Sequence, residues 1–155
     1  MYKLFITCVL SFFSFFAVSS DEAIDLDKLA QGYFSAMVAS QAPDANQEAL
    51  EAYLIFLTDD VGHTHLPWFA DDTRDPEGKA RMREGMTFYL GAHTEYSATM
   101  LNTFTFNQSA IAIRYEHSAK GIHPESKQAI EYTEVIMEVL EIEDGKVAVI
   151  RKYHQ

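Results

Sequence analysis

Residues 94–106 read TEYSATMLNTFTF, and this stretch decides the fold class of the chain. Tyr96, Ala98, Met100, Phe104 and Phe106 alternate with mostly polar side chains. A repeat of two residues places each set on its own face of an extended strand, whereas the sequence before it repeats every three to four residues. The pattern therefore predicts helices first and a long strand after them.

Three helices are predicted before this strand, over about residues 26–41, 44–57 and 76–91. Apolar side chains recur in each at helical spacing, as expected of helices that bury one face. The second begins with a capping-box pattern in which Asp44 is followed three residues later by Gln47. The third has a proline at its first helical position, where the missing backbone N–H costs nothing.

Four more strands complete the pattern, and Asn, Asp or Gly turns separate most of them. They are predicted at residues 61–67, 110–119, 130–142 and 147–154. Helices followed by a run of antiparallel strands are typical of α+β domains. We therefore expect three N-terminal helices packed in a strongly curved, mainly antiparallel sheet.

The charge balance excludes one class of partner. The 155 residues contain 12 Lys and Arg against 23 Asp and Glu, which gives a net charge of -11. No basic cluster is available to neutralise phosphates, so nucleic acids and anionic membrane surfaces are not expected partners.

The first twenty residues are predicted to be a secretory signal peptide. Lys3 precedes an apolar run over residues 4–18, and small residues lead to Ser20. The run is shorter than a comfortable membrane span, although an uncleaved anchor is the alternative that the sequence leaves open. Cleavage leaves residues 21–155 as one secreted or periplasmic domain without stable membrane insertion. Cys8, the only cysteine, falls in the leader, which excludes thiol chemistry from the domain.

Several segments of this domain together resemble the nuclear transport factor 2-like superfamily, and its SnoaL-like branch most. They are residues 56–61 (FLTDDV) leading to His63 and His65, residues 113–115 (IRY) and residues 138–147 (EVLEIEDGKV). The superfamily includes ketosteroid isomerase and the SnoaL-like polyketide cyclases. The resemblance implies a cone-shaped α+β barrel whose open end leads to an apolar pocket for a small molecule.

The resemblance also implies three catalytic residues. His65 falls where ketosteroid isomerase has its general base. Tyr33 and Glu138 match the two hydrogen-bond donors of that enzyme's oxyanion hole. Apolar neighbours of Glu138 would raise its pKa by desolvation, so we expect a neutral acid there.

Arg114 is a candidate for substrate binding. It lies between apolar residues of a predicted strand, where an unpaired charge is costly. Two interpretations follow. Either the guanidinium binds a ligand carboxylate, or it forms a structural ion pair with Glu116 or Glu138.

Three further residues are candidates for contact with a ligand. His63 is two residues from His65 and so shares its strand face. Met86 is expected to line an adaptable apolar pocket. Trp68 lies in a loop that either covers the pocket or packs in a dimer interface.

A metal site is the alternative interpretation of these histidines. The two histidines of His63-Thr64-His65 could be joined by His93 or His117. No carboxylate lies within the motif and no spacing defines a third ligand, so neither a metal nor another cofactor is predicted.

Two functions remain open from the sequence. The first is a cofactor-independent lyase or isomerase acting alpha to a carbonyl, or an enzyme that adds water, with His65 as base. The second is a non-catalytic module that binds an apolar metabolite. A small apolar or carbonyl-containing molecule is the expected ligand in both, and a homodimer through the outer face of the sheet is expected from the apolar surface of the long strand.

Overall fold

A computed structural model describes residues 23–155 of the chain. The signal-peptide prediction for residues 1–20 concerns a segment outside the described residues. Within residues 23–155, no helix is both long enough and apolar enough to cross a membrane.

Three helices lie in the first part of the described chain: α1 (Leu26–Gln41), α2 (Gln47–Leu54) and α3 (Gly78–Tyr89). The first two begin at side-chain caps. Asp25 accepts a hydrogen bond from the backbone N–H of Lys28 at 3.0 Å, and Asn46 accepts one from Ala49 at 3.0 Å. The prediction that Asp44 caps the second helix is therefore wrong, because Asn46 occupies that position.

The sheet is curved, mixed and mostly antiparallel, with the order β1-β5-β4-β3-β2. Its strands are β1 (Leu57–Leu66), β2 (His93–Phe106), β3 (Ala110–Ile122), β4 (Ala129–Glu143) and β5 (Lys146–His154). Only the β1–β5 pair among them is parallel. The predicted α+β class, with three helices and a mainly antiparallel sheet, is confirmed.

A bulge in β2 changes which face its second half presents. The pairing of β2 with β3 shifts by one residue between Met100 and Asn102, which makes Leu101 an extra residue in the strand. Beyond this point the alternation is inverted. Phe104 and Phe106 were predicted to share one face with Tyr96, Ala98 and Met100, but they lie on the outer face, 65% and 58% exposed.

The hydrophobic core lies between the helices and the concave face of the sheet. α1 and α2 contribute Leu26, Ala30, Tyr33, Met37, Leu50 and Leu54, and the strands contribute Leu57, Ile111, Ile113, Ile136, Leu140 and Ile150. Most of these residues fill one end of the concave surface, whereas Met37 and Ile136 also border the cavity at the other end. At the other end the sheet faces the C-terminal part of α1 and one side of α3, and a cavity remains there.

Candidate active site

The cavity between α1, α3 and the concave face of the sheet has a volume of about 330 Å³. Small-molecule sites typically measure about 300 to 1,000 Å³. Its wall includes the methionines Met37, Met82 and Met86 and several tyrosines. A group of titratable side chains completes the wall: His63, His65, His117, Glu134, Lys152 and His154.

Strand alternation explains why these titratable groups meet. His63 and His65 are two residues apart on β1, and Lys152 and His154 are two apart on β5, so each pair faces one side of its strand. The two strands pair in parallel with His65 beside Lys152. Both pairs therefore line the cavity.

Four of these side chains form a hydrogen-bonded group, the imidazole network, which consists of His65, His154, Glu134 and His117. His65 Nδ1 lies 3.1 Å from His154 Nε2, and His154 Nδ1 lies 3.2 Å from Glu134 Oε2. The other carboxylate oxygen of Glu134 lies 3.0 Å from His117 Nε2. The network takes one residue from each of β1, β5, β4 and β3 and so crosses four neighbouring strands.

Burial keeps the imidazoles of His63 and His65 neutral at physiological pH. Desolvation, together with the charge of Lys152, lowers the pKa of His63 to about 3 and that of His65 to about 4. A neutral imidazole has one nitrogen lone pair that can accept a proton from a ligand. His65 thus meets the chemical requirement for the base predicted from the sequence.

The surroundings of Glu138 favour an ionised carboxylate, which contradicts the prediction of a neutral acid. The side chain is 1% exposed, and burial by itself would raise its pKa. Lys152 Nζ lies 2.9 Å from Oε1, and the hydroxyls of Tyr115 and Tyr33 donate to the two oxygens at 2.7 and 2.8 Å. Together the charge and the three hydrogen bonds hold the pKa of Glu138 below its usual value.

The hydrogen bonds of Tyr33 and Glu138 also differ from those of the predicted oxyanion hole. Glu138 accepts hydrogen bonds and does not donate one, and the Tyr33 hydroxyl already donates to it. The hydroxyl of Tyr53 lies 3.2 Å from that of Tyr33, so both tyrosines belong to the buried hydrogen-bond cluster around Glu138, and Tyr53 also lines the cavity. Lys152 also lines the cavity, and its ammonium group has two N–H donors besides the one that faces Glu138.

The predicted binding residues have different positions. His63 and Met86 line the cavity. Trp68 is exposed, and its ring packs against that of His154 with centroids 4.7 Å apart, at the margin of the cavity. Arg114 is exposed on the outer face of β3, because its neighbours on the strand face the core. This position contradicts both a ligand clamp in the cavity and an ion pair with Glu138, whereas Glu116, the other predicted partner, lies on the same outer face of the strand.

The histidines considered for a metal site, His63, His65, His93 and His117, do not direct their ring nitrogens at a common point. His93 Nδ1 lies 2.8 Å from the carbonyl oxygen of Gln41, and His117 bonds to Glu134. Among residues 23–155, no group of three or more His, Cys, Asp or Glu side chains is arranged to hold a metal ion.

Sequence reasoning missed Lys152, His154 and Glu134 as site residues. One signal was present, because Lys152 and His154 are two residues apart at the end of an otherwise apolar strand. That alternation indicates that both side chains share the inward face with Ile150. For Glu134 no such signal exists, since glutamates recur along β4.

The architecture is similar to that of solved structures with low sequence identity. An LEH-like epoxide hydrolase from M. tuberculosis has a TM-score of 0.60 and 12% identity, covering 83% of this chain and 84% of that chain. A nuclear transport factor 2-like protein from Anabaena variabilis has a TM-score of 0.60 and 17% identity over 83% and 87%. A candidate polyketide cyclase from Xanthomonas campestris has a TM-score of 0.58 and 17% identity over 83% and 89%.

Comparison of the amino-acid sequence with known families and proteins gives no match. No protein-family model matches it, and no curated protein matches it. The structural similarity, at 12 to 17% identity, establishes a common fold. A fold of this kind hosts unrelated reactions, so function has to be argued from the site.

Proposed function

The chain has the nuclear transport factor 2-like fold, and we propose that its cavity binds a small, largely apolar molecule that carries a carbonyl group. We further propose that His65 acts on this molecule as a general base, without a cofactor, in a lyase or isomerase reaction. One observation carries the proposal: a neutral imidazole and an ammonium group line the same cavity of about 330 Å³.

In this reaction a positive charge develops on the imidazole of His65 and a negative charge develops on the carbonyl oxygen of the ligand. A lone pair of His65 takes a proton from the carbon alpha to the carbonyl, and the electron pair moves to the carbonyl oxygen as an enolate. Lys152 stabilises the negative oxygen. Return of the proton to another carbon completes an isomerisation, whereas loss of a leaving group beta to the carbonyl completes an elimination.

The substitution His65→Gln is expected to lower the rate of proton abstraction about 10²- to 10⁴-fold. Gln has a similar size and polarity but cannot take up a proton near neutral pH. The measurement is hydrogen–deuterium exchange at the alpha carbons of cyclic ketones and enones in D₂O, followed by NMR. The melting temperature of His65→Gln should stay within a few degrees of the wild-type value.

The matched control is His123→Gln, which makes the same substitution in the loop after β3 and should leave exchange unchanged. Two results would contradict the proposal. Exchange that persists in His65→Gln would remove the base, and a large loss of stability with exchange intact would make His65 a structural residue.

A non-catalytic binding module is the second candidate. Three methionines and several tyrosines line the cavity, and flexible thioether side chains suit ligands of variable shape. Recovery of every bound ligand unchanged, with no exchange above the solvent rate, would favour this candidate.

A variant at Gly85 tests ligand binding in either case. Gly85 lies on α3, lines the cavity, and a Cβ there would meet no atom within 4 Å. Gly85→Leu should stabilise the helix and block the cavity, because leucine has the higher helix propensity and the added side chain occupies the opening. We expect a higher melting temperature together with loss of the thermal shift that carbonyl ligands produce in the wild type.

Gly85→Ala is the control for this experiment. It gains about 1 kcal/mol of helix stability but adds only one methyl group, so ligand binding should persist. In the wild type, a ligand at 100 times its dissociation constant stabilises the protein by about 2.7 kcal/mol. An equal ligand-induced shift in wild type and Gly85→Leu would place binding outside this cavity.

We also propose that the protein is a homodimer that associates through the outer face of its sheet. The β2 bulge places Phe104 and Phe106 on that face. Phe104 on β2 pairs with Ala112 on β3, which pairs with Val139 on β4, so the apolar surface crosses three strands. Met137 lies two residues from Val139 on the same face of β4. An apolar surface of this kind is typical of protein interfaces.

A charge at Phe104 is expected to dissociate the dimer. Phe104→Glu should give the monomer mass in light scattering at micromolar concentration, with an unchanged far-UV circular dichroism spectrum, because an unpaired carboxylate is costly to bury. Ile55→Glu is the control, since Ile55 is also exposed but lies at the end of α2. A monomer mass for the wild type would contradict the proposal.

Export is the remaining part of the proposal. The apolar run over residues 4–18 supports removal of a signal peptide after Ser20 and a secreted or periplasmic location for residues 21–155.

A further inference from the structure

We propose that His154 and Glu134 are positioning residues that keep the proton of His65 on Nδ1 and leave Nε2 of the same ring as its basic nitrogen. The inference rests on the proposed role of His65 as a base. It concerns a different property, namely which ring nitrogen carries the proton, and this can be measured without a ligand.

The first step follows from the chemistry of Glu134. Burial by itself would raise the pKa of this carboxyl group, but the hydrogen bonds from its two neighbours lower it overall, so it is ionised and can only accept hydrogen bonds. His154 Nδ1, at 3.2 Å, and His117 Nε2, at 3.0 Å, must therefore both donate. Glu134 thereby assigns a proton to a specific nitrogen of each ring.

The second step passes this assignment to His65. When each imidazole carries one proton, His154 has its proton on Nδ1 and a lone pair on Nε2. The 3.1 Å contact between His154 Nε2 and His65 Nδ1 then requires His65 to donate. Nε2 of His65 is left with the lone pair.

The state of His117 agrees with this arrangement. Burial lowers the pKa of His117, and its proton is on Nε2 because that nitrogen faces Glu134. Its Nδ1 is buried and has no hydrogen-bond partner among residues 23–155. A second proton on this ring would have no acceptor there, so the neutral form is favoured.

The surroundings of His65 hold the ring in place for this role. Its backbone N–H and carbonyl oxygen pair with Phe69 at 2.9 and 2.7 Å. The ring lies nearly parallel to that of His154, with centroids 5.4 Å apart and an angle of 23° between the planes. Trp68 packs on His154 in turn. These contacts restrict rotation of both rings, which a defined tautomer requires.

Nuclear magnetic resonance of the imidazole nitrogens tests the inference. Long-range ¹H–¹⁵N correlation spectra at pH 8 distinguish a protonated from an unprotonated ring nitrogen, and the chain has six histidines to assign. We expect His65 to carry its proton on Nδ1 in the wild type. A proton on Nε2 of His65 would overturn the inference, whatever the catalytic result.

Two variants of His154 separate hydrogen bonding from packing. His154→Phe keeps an aromatic ring beside Trp68 but removes the acceptor, so the proton of His65 should move to Nε2. His154→Gln offers an amide oxygen as acceptor and should restore the Nδ1 tautomer. An unchanged His65 tautomer in His154→Phe would also overturn the inference, and if that variant does not fold, the wild-type spectrum still decides.

The exchange assay gives the functional consequence. Removing the group that holds the tautomer of a catalytic imidazole can cost up to about 10⁴ in kcat. We expect His154→Phe to lower kcat at least about 100-fold with little change in KM, and His154→Gln to recover part of it. If the tautomer is as proposed but exchange does not depend on His65, the proposed function fails and the tautomer assignment stands.

Discussion

Glu138→Gln is expected to lower the free energy of unfolding by about 3 to 5 kcal/mol, because it leaves the Lys152 ammonium without its buried partner. The carboxylate is 1% exposed and lies 2.9 Å from Lys152 Nζ. The hydroxyls of Tyr33 and Tyr115 lose a charged acceptor in the same change. Urea unfolding at pH 7.5 measures the effect.

Two further variants make this measurement specific. Glu131→Gln changes a glutamate of the same strand whose side chain is 75% exposed, and should cost less than about 1 kcal/mol. Combining Glu138→Gln with Lys152→Met should recover part of the loss, because no buried charge is then left unpaired. A loss of less than about 1 kcal/mol in Glu138→Gln itself would restore the neutral-donor interpretation of this residue.

Acid is expected to destabilise the protein already between pH 6.5 and 4, before most carboxylates titrate. The folded-state pKa values of His63 and His65 are about 3 and about 4, below that of an unfolded histidine near 6.5. In this window the unfolded chain binds protons that the folded state does not, so stability falls as the pH falls. Each ring contributes at most about 1.4 kcal/mol per pH unit, and the less deeply buried His65 contributes less because solvent screens it.

The measurement is the free energy of unfolding at a series of pH values between 7.5 and 4. Removing one titrating ring in His63→Gln should reduce the pH slope by up to about 1.4 kcal/mol per unit between pH 6 and 4. The His123→Gln variant, which removes a histidine outside the cavity, is the control for the substitution itself. A flat profile down to pH 4.5 in the wild type would mean that the two rings are not shielded from water.

Local periodicity explains why the fold class was predictable. The spacing of apolar residues in α1 and the alternation in β2 each depend only on neighbours within one element. Helix ends were less predictable, since Asn46 and not Asp44 caps α2. The second half of β2 was predicted to face the wrong way, because the bulge at Leu101 appears only when the strand is paired with β3.

The candidate site was predictable only in part. His63, His65 and Met86 were identified and line the cavity. Glu138 was identified as buried, but its charge state depends on a partner across the strand pair. Lys152, that partner, carries no signal in the sequence that links it to Glu138.

By itself the sequence determined an acidic chain, the order of helices and strands, and two histidines on one strand face. Only the tertiary structure decided that His65 meets His154, 89 residues away, and that Lys152 neutralises Glu138. The physical reason is the range of the interactions. Periodicity follows from backbone geometry within one element, whereas hydrogen bonds and pKa values depend on side chains that the register of β1, β5 and β4 brings together.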